Sequence, residues 1–335
     1  MGRSAAVISI NSVHTQGYSL AKQVIFPSFT LPAHPDKPYI ISENSDLDIV
    51  TVKVNRFFFT AGRDSLYIPG LRQETNWQAF SPGVIRNLAL IRSALWYLQE
   101  PTLDILILGL PIRMIHRYQK SLNKRLLGEH WLPHFFHRMG YPLHNRSRVE
   151  VRQAIVMPRP VIALFAAASE HSIVTESDSL VLDFNLDTLD ILCASKMRPI
   201  NGQQGCIQGG ISGFIEQLAR SILQSRKNSN DQFIAQESML SGSVSCITTL
   251  PESAYYRHFY FPSPHLKKAR EVINYYLDQA LILLPSMRKM RLAVLTGSGA
   301  HLLEPILTTH LPNLKYIIKP LTPERTLLHD FSHSF

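Results

Sequence analysis

Three carboxylates, Asp183, Asp187 and Asp190, fall inside the largely apolar run SLVLDFNLDTLDIL at 179–192. Strands ordinarily deplete aspartate, because its side chain competes for backbone hydrogen bonds and its charge is costly to bury. Acids in such a place make either a surface turn between two strands or a set of ligands for something polar, such as a metal-bound phosphate.

Two glycine-containing turns could serve the same chemistry. Thr296-Gly297-Ser298-Gly299-Ala300 follows the apolar stretch RLAVL, and Gln208-Gly209-Gly210-Ile211-Ser212-Gly213 precedes a helical pattern that opens at Phe214. A strand that runs through glycine into a helix leaves backbone N–H groups free, and glycine lets a phosphate or ribose come close. The same turns also serve as plain strand-to-helix connections. His130, His134 and His137 stand at i, i+4 and i+7, but Pro133 interrupts a helix there, and no cysteine or carboxylate completes a metal set within the run. That stretch reads as an aromatic packing or contact surface. Arg113, Arg117, Lys120, Lys124 and Arg125 form a basic row at helical spacing, either a solvated face or a contact to DNA or to another subunit. Trp131, Phe135 and Phe136 beside it are the residue types that anchor interfaces. No Ser/His/Asp or Cys/His arrangement points to nucleophilic catalysis.

These residues need a frame. The chain has 335 residues, 45% hydrophobic and 18% charged, enough for two lobes with their own cores. Lys and Arg exceed Asp and Glu by 34 to 25, a formal charge of +9, which favours acidic partners such as nucleic acid or nucleotide. The three cysteines, 193, 206 and 246, have neither disulfide-framework nor zinc spacing, and a reducing cytoplasm fits them. No run approaches about 18 apolar residues, so neither a membrane span nor a signal peptide is expected. Ala6 occupies the position where a myristoylation motif needs Ser or Thr.

Apolar, β-branched segments predict strands at 5–10, through most of 22–65, at 103–110 and at 149–160. Helical spacing predicts helices from Ser81-Pro82-Gly83 to Pro101, in the first part of 112–140, over 161–171, from Phe214 to Lys227 and from Ser263-Pro264 to Leu284. The segment NGQQGCIQGGISG reads as a glycine-rich connection. Near the end, RLAVLTGSGAHLLEPILTTHL gives strand, turn and helix, and LKYIIKP a final strand.

Taken in order, these motifs resemble the actin, Hsp70 and sugar kinase superfamily, and more narrowly the ParM/StbA group of bacterial actin-like plasmid segregation proteins. DFNLDTLDI at 183–191 is similar to that group's second phosphate loop, DLGGTTLDI; LDILILGLP at 103–111 is similar to its strand ending in Leu-Pro; AVLTGSGAHLL at 293–303 is similar to its VGGGA adenosine turn. The resemblance runs from the first strand to the last helix. It implies an α/β, actin-like (ribonuclease H-like) two-lobed fold, with mixed sheets and helices on both faces. Domain I would be 1–158, with 303–335 returning to it, and domain II 159–302. It further implies Mg-ATP (or GTP) in a cleft between lobes. Asp183 and Asp190 would be the catalytic acids, with Asp183 holding magnesium through water. Thr15, Thr188, Gly209, Gly210, Gly297, Ser298, Gly299 and Ala300 would bind the nucleotide. The implied function is a cytoplasmic ATPase that polymerises into filaments and moves plasmid DNA through an adaptor bound to a centromere-like site. Direct DNA contact through the basic surface is a further expectation.

The chain also departs from that pattern. In the first phosphate hairpin, SINSVHTQG against DIGNGYTKV, the acid is Ser9 and the glycines are Asn11 and Val13. In the second loop the paired glycines are Asn185 and Leu186, and Asp187 replaces a threonine. Beside MPRP, where the family carries a water-positioning Glu, stands Arg159. These substitutions keep a second reading open, a non-hydrolysing actin-fold scaffold that recruits partner proteins.

Overall fold

The computed structural model describes residues 4–10, 14–33, 47–65, 84–132, 135–138, 141–143, 147–185, 188–211, 213, 263–297 and 299–319. Ser298, Leu186, Asp187, Asn11, Val13, His134, the Ser81–Gly83 helix start and the helix expected from Phe214 lie outside the described residues. The chain divides into two compact units, Met1–Leu110 with Met114–Pro158 and Glu324–Phe335, and Pro111–Arg113 with Arg159–Pro323.

The first unit begins with a meander, β1 (Ala5–Ile10), β2 (His14–Ser19) and β3 (Gln23–Pro27), each strand antiparallel to the last. A second antiparallel sheet is built on β4 (Leu31–Ala33), β5 (Ile49–Val54) and β6 (Phe57–Gly62). Helix α1 (Val84–Leu98) leads to β7 (Thr102–Leu103) and to β8 (Ile105–Leu110), which pairs parallel to β1. All six residues of β8 are buried, as its continuous apolar run requires of a strand covered on both faces. After α2 (Ile112–Leu126) come β9 (Gly128–Leu132), β10 (Phe135–Arg138), β11 (Tyr141–Leu143), β12 (Ser147–Val151) and β13 (Ala154–Pro158). Strand β13 joins β8 in parallel, so the main sheet runs β13-β8-β1-β2-β3.

The second unit opens with α3 (Arg159–Glu170) and the short α4 (Ile173–Glu176). Strands β14 (Asp178–Phe184), β15 (Thr188–Ser195) and β16 (Arg198–Gln208) form another antiparallel meander. Helix α5 (Ser263–Leu283), β17 (Leu292–Thr296), α6 (Ala300–His310) and β18 (Tyr316–Ile318) complete it. With β17 parallel to β14 and β18 parallel to β17, the sheet order is β16-β15-β14-β17-β18. Each unit thus repeats one topology, a three-strand meander extended by two parallel strands from its first strand. Each unit has its own core residues, among them Ile8, Ile91, Leu95 and Leu108 in the first unit and Leu182, Ile191, Leu277 and Leu295 in the second.

Two expectations change. Residues 198–208 form a strand and not a glycine-rich connection, because the ladder to β15 supplies the backbone hydrogen bonds that Gly202, Gly205 and the glutamines do not favour on their own. Residues 303–318 stay with the second unit, because β18 is the edge strand of its sheet, so the chain does not return to the first unit at 303. The histidine-rich stretch is strand at 128–132 and 135–138, in keeping with the reading that no regular helix runs through it.

Candidate functional site

Arg159 is the first residue of α3 and is buried. A cation there opposes the positive end of the helix dipole and requires nearby negative charge. Two acids supply it. Antiparallel pairing places Asp183 of β14 directly opposite Asp190 of β15, so both carboxylates leave the same face of the sheet. Arg159 Nε lies 3.0 Å from Asp183 Oδ2, and an Nη lies 3.7 Å from Asp190 Oδ2. The three side chains are 7%, 4% and 0% exposed, so this is a closed ion triad in low dielectric.

Neighbours take up more of the acids' oxygens. Asn185 Nδ2 donates to Asp183 Oδ1 at 2.6 Å. The backbone N–H of Ile112 donates to Asp190 Oδ2 at 3.1 Å. Ile112 is the first residue of α2, so Asp190 satisfies a helix N-terminal donor from 78 positions away. Cys206, opposite Asp190 in the β15–β16 ladder, gives its thiol to the same carboxyl group. Burial pushes Asp190 above the ordinary carboxylate range and Asp183 adds to this, while Arg159, Cys206 and the Ile112 N–H pull the other way. Burial, and then Asp190, hold the Cys206 thiol well above its usual value.

The glycines around the triad have internal reasons to be glycine. Gly297 has φ +85°, and a Cβ on it would lie 2.5 Å from the Phe184 carbonyl oxygen and 2.8 Å from Asp183 Oδ1. A Cβ on Gly299 would meet the Phe184 ring at 2.5 Å, and its N–H donates to the Phe184 carbonyl at 2.8 Å. Gly209, at φ +103°, and Gly213 both face the Tyr276 hydroxyl, while the Ile211 N–H bonds the Asn185 carbonyl at 2.9 Å. The 297–299 turn and the 209–213 turn therefore both close onto Phe184 and Asn185, at the end of β14.

Of the residues singled out from sequence, Asp183, Asp190, Gly209, Gly297, Gly299 and Ala300 gather around that strand end. Gly210 follows Gly209 in its turn, and Thr188 is buried at the start of β15. Thr15 belongs to the first unit, where its hydroxyl pairs with Ser28 Oγ at 2.9 Å. Ser9 is buried in β1. Sequence reasoning singled out Arg159 by its sign alone; that it neutralises both acids needed the sheet register. Cys206 and Ile112 as partners of Asp190 carried no signal in the sequence.

A hydrated magnesium ion does not fit this arrangement, because the acids that would hold it are buried against a resident guanidinium, and a divalent cation would have to displace Arg159. Among the described residues no three His, Cys, Asp or Glu side chains cluster as a metal set. His130 is buried with Nε2 2.8 Å from the Leu126 carbonyl, and burial lowers its pKa. No described helix is long and apolar enough to cross a membrane.

The two mixed sheets, each a meander with parallel extensions, define an actin-like fold of the ParM type. Solved structures that share it match over nearly the whole chain. A 15-stranded ParM filament from Clostridium botulinum is 17% identical, with a TM-score of 0.65 and all of both chains covered. The actin-like protein Alp7A is 14% identical with TM-score 0.64, covering 99% of this chain and 96% of that one. The archaeal actin homologue Ta0583, solved in complex with ADP, is 16% identical with TM-score 0.63, covering 99% and 98%. No family model and no curated protein matches the sequence.

Proposed function

We propose that the chain is an actin-like protein that assembles with copies of itself and acts as a scaffold, without nucleotide hydrolysis as its driving step. The observation that carries this reading is the Arg159–Asp183–Asp190 triad. The acids that the family resemblance assigns to magnesium and water are engaged by an internal cation, and the position assigned to a water-orienting Glu holds that cation. Self-assembly is supported by the fold, which the chain shares with proteins solved as filaments.

A second reading is nucleotide-dependent assembly for plasmid or other DNA segregation through an adaptor, with ATP or GTP bound near Gly297 and Gly299. The shared fold with an actin homologue solved with ADP favours it. Light scattering, electron microscopy and phosphate release on the purified chain, with and without Mg-ATP and Mg-GTP, separate the two. The scaffold reading expects polymers indifferent to nucleotide and no phosphate release above buffer. Polymers that require ATP or GTP and release phosphate would establish the second reading instead, and a strictly monomeric protein under all conditions would refute both.

A further inference from the structure

Helix α2 carries its charge on one side only. Its 15 residues, IRMIHRYQKSLNKRL, include no acid. Met114, Ile115, Leu122 and Leu126 are buried in the first unit's core, and Gln119 Nε2 pins the helix to the Val156 carbonyl at 2.8 Å. The opposite side presents Arg117, Lys120, Lys124 and Arg125, all exposed. The same sign continues onto the neighbouring elements. Arg92 of α1 donates to the Lys53 carbonyl of β5. Burial, and then the charge of Arg125, lower the Arg92 pKa, so these guanidinium groups repel each other. Lys53 and Arg56 are exposed, each cation lying over a ring of β6, Phe58 and Phe57. Helices α1 and α2 and strands β5 and β6 contain no Asp or Glu at all. The acid that follows α2, Glu129, is paired with Arg148 at 3.2 Å.

Like charges held this close, with no acid on the elements that bear them, are a cost that an external polyanion relieves. We propose that this face of the first unit binds the phosphate backbone of duplex DNA directly, independent of sequence and of any adaptor. Three features select DNA over other polyanionic partners. The exposed side of α2 between 116 and 125 is entirely polar, whereas a helix that lies on a membrane presents Leu, Phe or Trp to the acyl boundary. Its cations are half lysine, a residue depleted from protein–protein interfaces but suited as a point charge to phosphate. From Arg117 to Lys124 the row extends about 10 Å, over which duplex DNA carries roughly one charge per 1.7 Å of axis. This inference stands apart from the scaffold reading, because it concerns the first unit alone and needs no polymer.

The test is fluorescence anisotropy of a labelled random-sequence duplex with the full chain, across a salt series from about 50 to 200 mM. The triple variant Arg117→Gln, Lys120→Gln, Lys124→Gln is compared with a charge-matched control, Lys196→Gln, Arg198→Gln, Lys289→Gln, and the fold of each is checked by circular dichroism. The α2 variant is expected to bind at least about tenfold more weakly at 0.1 M salt and to lose about 2.7 from the log–log salt slope, with the control close to the parent. Equal losses in both variants would overturn the inference. So would no binding at the lowest salt, or tighter binding to phosphatidylserine vesicles or polyglutamate than to the duplex.

Discussion

Asp183 stands directly opposite Asp190 across the β14–β15 ladder, and the guanidinium of Arg159 touches both carboxylates. Like charges directly opposite in a sheet repel, so the pair persists because a third residue, 24 positions before Asp183, delivers a cation into the same buried volume.

Removing that cation should be severe. Arg159→Met leaves two facing buried acids without a counter-charge, and breaking a buried ion network in this way costs about 3–5 kcal/mol. The combined variant Arg159→Met, Asp183→Asn, Asp190→Asn removes all three charges and should recover most of the loss. Urea denaturation of the two variants checks this; a single variant as stable as the parent would show that the triad is not a unit.

Asp190 gives a pH signature. Its pKa is raised in the folded chain, so as pH climbs the unfolded chain loses this proton first, and the stability it contributes is full below its ordinary value of 3.8 and declines as pH rises through the folded value. Asp190→Asn keeps an acceptor for the Ile112 N–H and has no proton to lose. The variant's unfolding midpoint should therefore gain on the parent's between about pH 4 and pH 7. A difference that is flat or shrinking over that range would contradict the assignment.

The thiol of Cys206 reads the same carboxyl group. Its pKa is raised by burial and by Asp190, so alkylation by iodoacetamide at pH 8, followed by peptide mass mapping, should be slow relative to a free thiol. In Asp190→Asn the rate at Cys206 should rise, because one cause of the raised pKa is gone. Cys193 is fully buried and should stay slow in both proteins.

Two glycines should respond to alanine to different degrees. At Gly297 the backbone is left-handed and a new Cβ would press on the Phe184 carbonyl, so Gly297→Ala should cost about 2–4 kcal/mol through strain and overpacking. At Gly205 the obstacle is the tip of Leu283, which is half exposed and can rotate away, so Gly205→Ala should cost less than about 1 kcal/mol. Thermal or chemical denaturation of the pair gives the comparison.

Much of the architecture is legible in the chain because it depends on local pattern. The apolar runs of β1, β8 and β17, the amphipathic α2 and α5, and the glycine turn at 297–299 follow from side-chain period and turn chemistry within a few residues. The strand 198–208 is not legible, since its Gly and Gln composition favours a loop and only pairing with β15 makes it extended. The same limit applies to the second unit's hold on β18, which is decided by the edge that β17 leaves open.

By itself the sequence determined which residues carry charge and glycine freedom at the end of β14: Asp183, Asp190, Gly209, Gly297 and, by its unexpected sign, Arg159. Only the tertiary structure decided what those charges do. The β14–β15 register sets the two acids opposite each other, and the start of α3 brings Arg159 to within 3.0 Å of Asp183 Oδ2, contacts between residues 7, 24 and 31 positions apart. Aspartates that read as ligands for a metal-bound phosphate are, in the folded chain, counter-ions to an internal arginine, because a buried carboxylate takes the cation that the fold places beside it.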